Sequence, residues 1–244
     1  WIGELYFEFH RGTYTSMARN KRGNRKSEYA MMELELLSVL AESTGKAYPT
    51  EELNRMWEMI LTNQFHDILP GSSIHEVYEQ TKKEYAEIAE TSAKLIGERM
   101  EALCGTKDES VTVWNTLGHR RNDVVVLGET AAEAMTDGTT VYPVQQTKDG
   151  AIVYAENLPS KGYQVLRPTS GAAAETPFAV TEAGEGYTLE TPFYTIQIDA
   201  NGEFTSLFDK ENDREVLQSG TTGNELRIYE DKPLQYSAWN LDIF

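Results

Sequence analysis

At 244 residues the chain has room for two domains of ordinary size, each with its own core. Hydrophobic residues make up 40% and charged residues 25%, a globular balance that excludes a disordered chain. A formal net charge of -17 argues against nucleic acid or an anionic membrane surface as partner and fits a neutral or cationic ligand. The single cysteine, Cys104, cannot close an internal disulfide. It reads as a small buried hydrophobe near a helix end, in a reducing, cytoplasmic setting. No signal peptide and no apolar run of membrane-spanning length is legible.

Composition changes near Gly105, from helical spacing of apolar residues to alternation between turn signals. The first segment to weigh is Glu8-Phe9-His10-Arg11-Gly12-Thr13-Tyr14-Thr15-Ser16, dense in hydrogen-bonding groups. Gly12 permits close backbone approach or a positive φ. Arg11 suits a carboxylate and Tyr14 a sugar. The alternative is a strand-to-helix connector with Thr15 or Ser16 as N-cap.

A helix is expected over residues 19–43, with Tyr29, Met32, Leu36, Leu37 and Leu40 on one face and Gly45 as its stop. Its basic start opposes the helix dipole, so a solvated turn or acidic partners must satisfy it. A second helix follows Pro49, with Thr50 as N-cap and a stripe of Met56, Trp57, Ile60 and Leu61. The third opens on Ser73-Ile74-His75-Glu76, a capping box, and carries Ile74, Tyr78, Tyr85, Ile88 and Leu95 at 3–4 spacing. These three form a bundle.

The second half reads as antiparallel β. Strands are expected at 111–115, 124–127, 141–144, 152–154, 194–198 and 204–208, with hairpin signals at Asp149-Gly150 and Asn201-Gly202. Residues 170–175 and 181–186 read as exposed connections. The fold class is therefore α+β: a three-helix bundle followed by an antiparallel β-sandwich.

Four histidines occur, His10, His66, His75 and His119, and no pair has the spacing of a self-contained zinc site. His66 is the best donor, within Asn63-Gln64-Phe65-His66-Asp67-Ile68-Leu69-Pro70-Gly71-Ser72-Ser73. That stretch puts an imidazole beside a carboxylate on a helix-to-helix corner, able to serve a metal and a polar substrate together. A histidine capping the carbonyls of a helix C-terminus is the other reading. Trp114, Trp239 and Tyr236 suit either a sugar platform or a β core.

The segments His10 to Ser16, Lys21-Arg22 to Glu28 and Asn63 to Ser72 together resemble the alpha-mannosidases of glycoside hydrolase family 38, bacterial branch. So do Trp114-Asn115-Thr116-Leu117-Gly118, Asp199-Ala200-Asn201-Gly202 and Glu230-Asp231-Lys232-Pro233. The resemblance implies three parts: residues 1–14 as the end of a catalytic β/α domain, 15–106 as the helical middle domain, and 107–244 as part of a C-terminal β region. It implies retaining hydrolysis of terminal alpha-linked mannose from oligosaccharides. It also implies zinc, with His66 as one ligand and Asp67 as a sugar contact; Arg11 and Tyr14 stay substrate-binding candidates on the reading of their own segment. The remaining zinc ligands, the nucleophile and the acid/base would then lie upstream of Trp1. Met17 departs from the family pattern where a polar residue is expected, as do Ser237 and Asn240 where relatives carry aspartates. The expected partner is a mannose-containing oligosaccharide, with a homo-oligomer left open. The alternatives are a non-catalytic carbohydrate-binding or subunit-interaction module, and a structural region whose His66 merely caps a helix.

Overall fold

The computed structural model describes residues 10–105, 109–171 and 177–242. Of the expected end of a catalytic domain, residues 1–14, residues 1–9 lie outside them. Three helices come first and antiparallel sheets follow, the α+β order read from the sequence. The chain divides into two compact units, Trp1–Ser170 with Asp231–Phe244, and Gly171–Glu230.

Helix α1 (Ala18–Ala41) buries Asn20, Asn24, Ser27, Met31, Leu34, Ser38 and Ala41 in steps of four and three, with Leu37 buried beside that stripe. Helix α3 (His75–Cys104) buries Tyr78, Thr81, Tyr85, Ile88, Ser92 and Arg99 in the same rhythm. Helix α2 (Thr50–Asn63) adds Leu53, Met56, Ile60 and Asn63. A spacing that averages 3.5 keeps one seam facing the neighbouring helix, which is why these helices pack along their length. Met31, Leu34, Leu53, Met56, Ile60, Tyr85 and Ile88 form the shared core. Gly23 meets Tyr85, and Ser38 meets Arg99, so α1 and α3 run parallel. Trp57 donates to Glu35 and Gln64 to Asn24, so α2 runs antiparallel to α1.

The faces differ from expectation. Tyr29, Met32 and Leu40 on α1, Leu61 on α2 and Ile74 before α3 are exposed. Leu37 is fully buried and Leu36 half-buried, as expected, but the inward face of α1 is half polar, so a search for apolar residues catches only part of it. The capping box does not form: Ile74 holds the N-cap position, and the Ser73 hydroxyl donates to the Asp67 carbonyl instead, at 2.5 Å. Thr50 is the first helical residue, with Pro49 at the cap. Cys104 is exposed, contrary to its reading as a buried hydrophobe.

The first unit continues into strands β1 (Val111–Asn115), β2 (Arg121–Gly128), β3 (Ala134–Thr136), β4 (Val141–Thr147), β5 (Gly150–Leu158) and β6 (Gly162–Thr169). They pair in the order β1-β6-β3-β4-β5-β2. Strand β5 buries Ala151, Val153 and Ala155 at the two-residue period of a pleat. Met135, Tyr142, Val153, Leu158 and Leu166 close the core, with Val113 and Val125 packed on it.

The second unit carries β7 (Ala179–Ala183), β8 (Gly186–Glu190), β9 (Tyr194–Ile198), β10 (Phe204–Asp209) and β11 (Arg214–Glu215), in the order β11-β10-β9-β8-β7. Residues 181–186 are therefore a strand end, a turn and a strand start, not a simple connection; β7 is exposed throughout, which hid its pairing. Residues 172–175 of the other expected connection lie outside the described residues. Among the described residues no helix is long and apolar enough to cross a membrane.

Candidate functional site

His66 and Asp67 lie on the corner that links α2 to α3. The amides of Ile68 and Leu69 both donate to the Phe65 carbonyl, at 2.8 and 3.0 Å, winding the corner into a tight turn. Gly71 ends it at φ +98, a value that favours glycine. The imidazole of His66 is 77% exposed, with Nε2 3.4 Å from Asp67 Oδ2. Its ring leans on Phe65, centroids 4.3 Å apart. His66 caps no carbonyl among the described contacts, so the helix-capping alternative has no support here. The nitrogen faces outward, beside a carboxylate that is itself part exposed.

The backbone beneath this pair is pinned from two helices. From α3, the Tyr78 hydroxyl donates to the Ile68 carbonyl at 3.2 Å and accepts the Ser73 amide at 2.9 Å. From α1, Asn20 Nδ2 donates to the Ile68 carbonyl at 3.1 Å. Lys21 Nζ lies 3.0 Å from the carbonyls of both Leu69 and Pro70, and 2.6 Å from that of Ser16. Burial lowers the Lys21 pKa from its ordinary value. Below the corner, Gln64 Nε2 donates to Asn24 Oδ1 and Glu28 Oε1, and Asn63 Nδ2 donates to Glu84.

The first candidate segment reaches the same place. Arg11 and Tyr14 belong to a short 3-10 turn, Arg11–Tyr14, flanked by His10 at φ 65 and Met17 at φ 50. Arg11 is half-buried and Tyr14 exposed. Neither Thr15 nor Ser16 caps α1: Met17 holds that position, and the Ser16 hydroxyl is directed to the carbonyls of Gly12 (2.9 Å) and Ala238 (2.8 Å). The turn is tied to the corner through the Ser16 carbonyl, which accepts from Lys21.

A third segment was not legible as part of this site. The Gly12 amide donates to the Trp239 carbonyl at 2.8 Å, and a Cβ on Gly12 would sit 2.9 Å from the Asn240 carbonyl oxygen. The His10 amide donates to Asn240 Oδ1 at 3.1 Å, and Trp239 packs edge-on to the His10 ring at 4.4 Å. The close approach read for Gly12 is thus real, and Asn240 has a structural partner. Trp114 pairs instead with Tyr163, at 4.9 Å.

Among the described residues, no three histidine, cysteine or acidic side chains gather to hold a metal. An exposed imidazole with an adjacent carboxylate fits part of a zinc shell and needs donors from elsewhere. His75 begins α3, and the backbone carbonyl of His119 accepts from Asn115 at 2.8 Å.

Two family models match the chain. Residues 8–103 match the alpha mannosidase middle domain, and residues 189–244 match the glycosyl hydrolases family 38 C-terminal domain. Among curated proteins, alpha-mannosidase 2C1 of Homo sapiens is 32% identical over 99% of this chain and 22% of its own length. Alpha-mannosidase G of Dictyostelium discoideum is 30% identical over 100% of this chain and 26% of its own length. The chain thus spans roughly a quarter or less of these relatives. A solved family 38 glycosyl hydrolase from Enterococcus faecalis shares the fold at TM-score 0.60, with 15% identity, over 84% of this chain and 30% of its own.

Proposed function

We propose, from the premise that this chain belongs to glycoside hydrolase family 38, that it is part of a zinc-dependent retaining alpha-mannosidase. In this reading the whole enzyme removes terminal alpha-linked mannose from oligosaccharides or glycans. The chain supplies one metal ligand, His66, and one substrate contact, Asp67. The observation that supports this most is the outward imidazole beside a carboxylate on a corner braced from α1 and α3.

The residues divide the work by chemistry. His66 offers a neutral nitrogen as a ligand, and Asp67 accepts hydrogen bonds from sugar hydroxyls. Bound zinc supplies Lewis-acid polarisation and a template for the sugar's hydroxyls. Tyr14 and Arg11, on the turn tied to the same corner, are in this reading further sugar contacts. The carboxylate pair that retaining hydrolysis needs lies in this reading outside the chain, so the isolated chain is inactive. Phe65 and Ile74 expose apolar surface on the corner itself, which suits a face covered by another part of the enzyme.

The test is Asp67→Asn in the full-length enzyme, assayed on an alpha-mannoside. Loss of an acceptor that tightens in the transition state lowers kcat by about 100-fold or more. Wild-type kcat and KM in that variant would remove Asp67 from the site.

A further inference from the structure

We infer that Lys21 and Tyr78 are positioning residues, a clamp that sets the backbone of the His66-Asp67 corner. The proposal rests on the reading of those two residues given above and extends it to residues that touch neither sugar nor metal. Four successive carbonyls, those of Asp67, Ile68, Leu69 and Pro70, accept side-chain bonds, that of Ile68 together with the Gly71 amide. The Lys21 ammonium meets two of them and the Ser16 carbonyl, so its three donors have three acceptors. It thereby fixes the corner and the Arg11–Tyr14 turn to one point on α1. Tyr78 works from α3: its hydroxyl donates to the Ile68 carbonyl and its oxygen accepts from the Ser73 amide.

A surface lysine needs no such arrangement. Lys21 is half-buried, and desolvation works against its charge. Carbonyl dipoles converging on it offset that cost only while the corner keeps its shape. The apolar core of the bundle lies further along, at Met31, Leu34, Ile60 and Ile88. The clamp is thus separable from the packing that folds the bundle.

The experiment uses the full-length enzyme carrying Lys21→Met, Tyr78→Phe or, as a charge control, the exposed Lys26→Met. Three quantities are read: amide exchange of residues 66–73 in metal-free protein, the rate of zinc release to a chelator, and kcat and KM separately. Lys21→Met is expected to speed exchange across the corner about tenfold, since its carbonyls lose their donor. Zinc release is expected to quicken and kcat to fall by about 10- to 100-fold, as for other partners that orient a metal site. KM moves little, core amides near Met31 and Ile88 keep their protection, and Lys26→Met matches wild type. Tyr78→Phe repeats the pattern more mildly.

Wild-type exchange in the corner of both Lys21→Met and Tyr78→Phe overturns the clamp, as does an equal fall in kcat for Lys21→Met and Lys26→Met. If Lys21→Met also loosens the core, Tyr78→Phe decides: localised acceleration supports the clamp, and none overturns it. Exchange in metal-free protein does not depend on the catalytic reading. An active His66→Ala enzyme would sink that reading while leaving the exchange result to stand.

Discussion

Gly71 and Ser16 meet backbone to backbone: a Cβ on Gly71 would sit 2.7 Å from the Ser16 carbonyl oxygen. That oxygen is also an acceptor of the Lys21 ammonium, so the contact joins the corner to the segment that carries Arg11 and Tyr14. Gly71→Ala meets two obstacles, the positive φ and the missing space. It should cost about 1–3 kcal/mol. A chemical denaturation series checks the stability, and in the full-length enzyme activity should fall with it.

Gly23 presents a case where two effects oppose. Alanine is the better helix former by about 0.8–1.0 kcal/mol. At this position, however, a Cβ would lie 2.7 Å from the ring of the buried Tyr85. Overpacking of that kind costs about 1–3 kcal/mol and outweighs the propensity gain. Gly23→Ala should therefore lower the melting temperature, whereas the solvent-facing Gly97, with nothing within 4 Å, should gain from the same change.

Tyr85 should give the bundle an alkaline limit. Burial, with Glu84 and Glu28 nearby, raises its pKa from 10.0 to about 12. The folded state then holds a proton that the unfolded state releases. Its contribution is complete below pH 10 and is lost as pH rises from there toward 12. Its hydroxyl is also buried without a hydrogen-bond partner among the described residues. Tyr85→Phe should remove that alkaline loss and hold or raise stability by about 1 kcal/mol at neutral pH. Thermal melts at pH 7 and pH 11 compare the two.

The isolated chain offers one imidazole and one carboxylate at the corner, and its described residues hold no three-donor cluster. It should bind zinc no more tightly than about micromolar, far short of a complete tetrahedral site. Titration against a competing chelator measures this.

Local patterns revealed the corner itself. An amphipathic stretch running into Phe65-His66-Asp67 and then Pro70-Gly71 can do little but turn, and it turns there. The helix faces were harder to read because Asn20, Asn24, Ser27 and Ser38 point inward, where a hydrophobicity scale expects the opposite. Ser73 and Glu76 carry a capping signature, but Ile74 takes the cap position and the Ser73 hydroxyl donates to the Asp67 carbonyl. Lys21 looked like one of several basic residues at a helix start; one of its carbonyl partners, Ser16, is near in sequence, but the other two, Leu69 and Pro70, come from the distant corner. The bond from His10 to Asn240 spans 230 residues, and no local pattern announces it.

The most direct measurement of the central claim is the zinc content of the purified full-length enzyme, wild type against His66→Ala. Stoichiometric zinc in the wild type and its loss in the variant, together with the loss of mannosidase activity, is the predicted result. A variant that keeps its full complement of chelator-resistant zinc would contradict the assignment of His66 as a ligand.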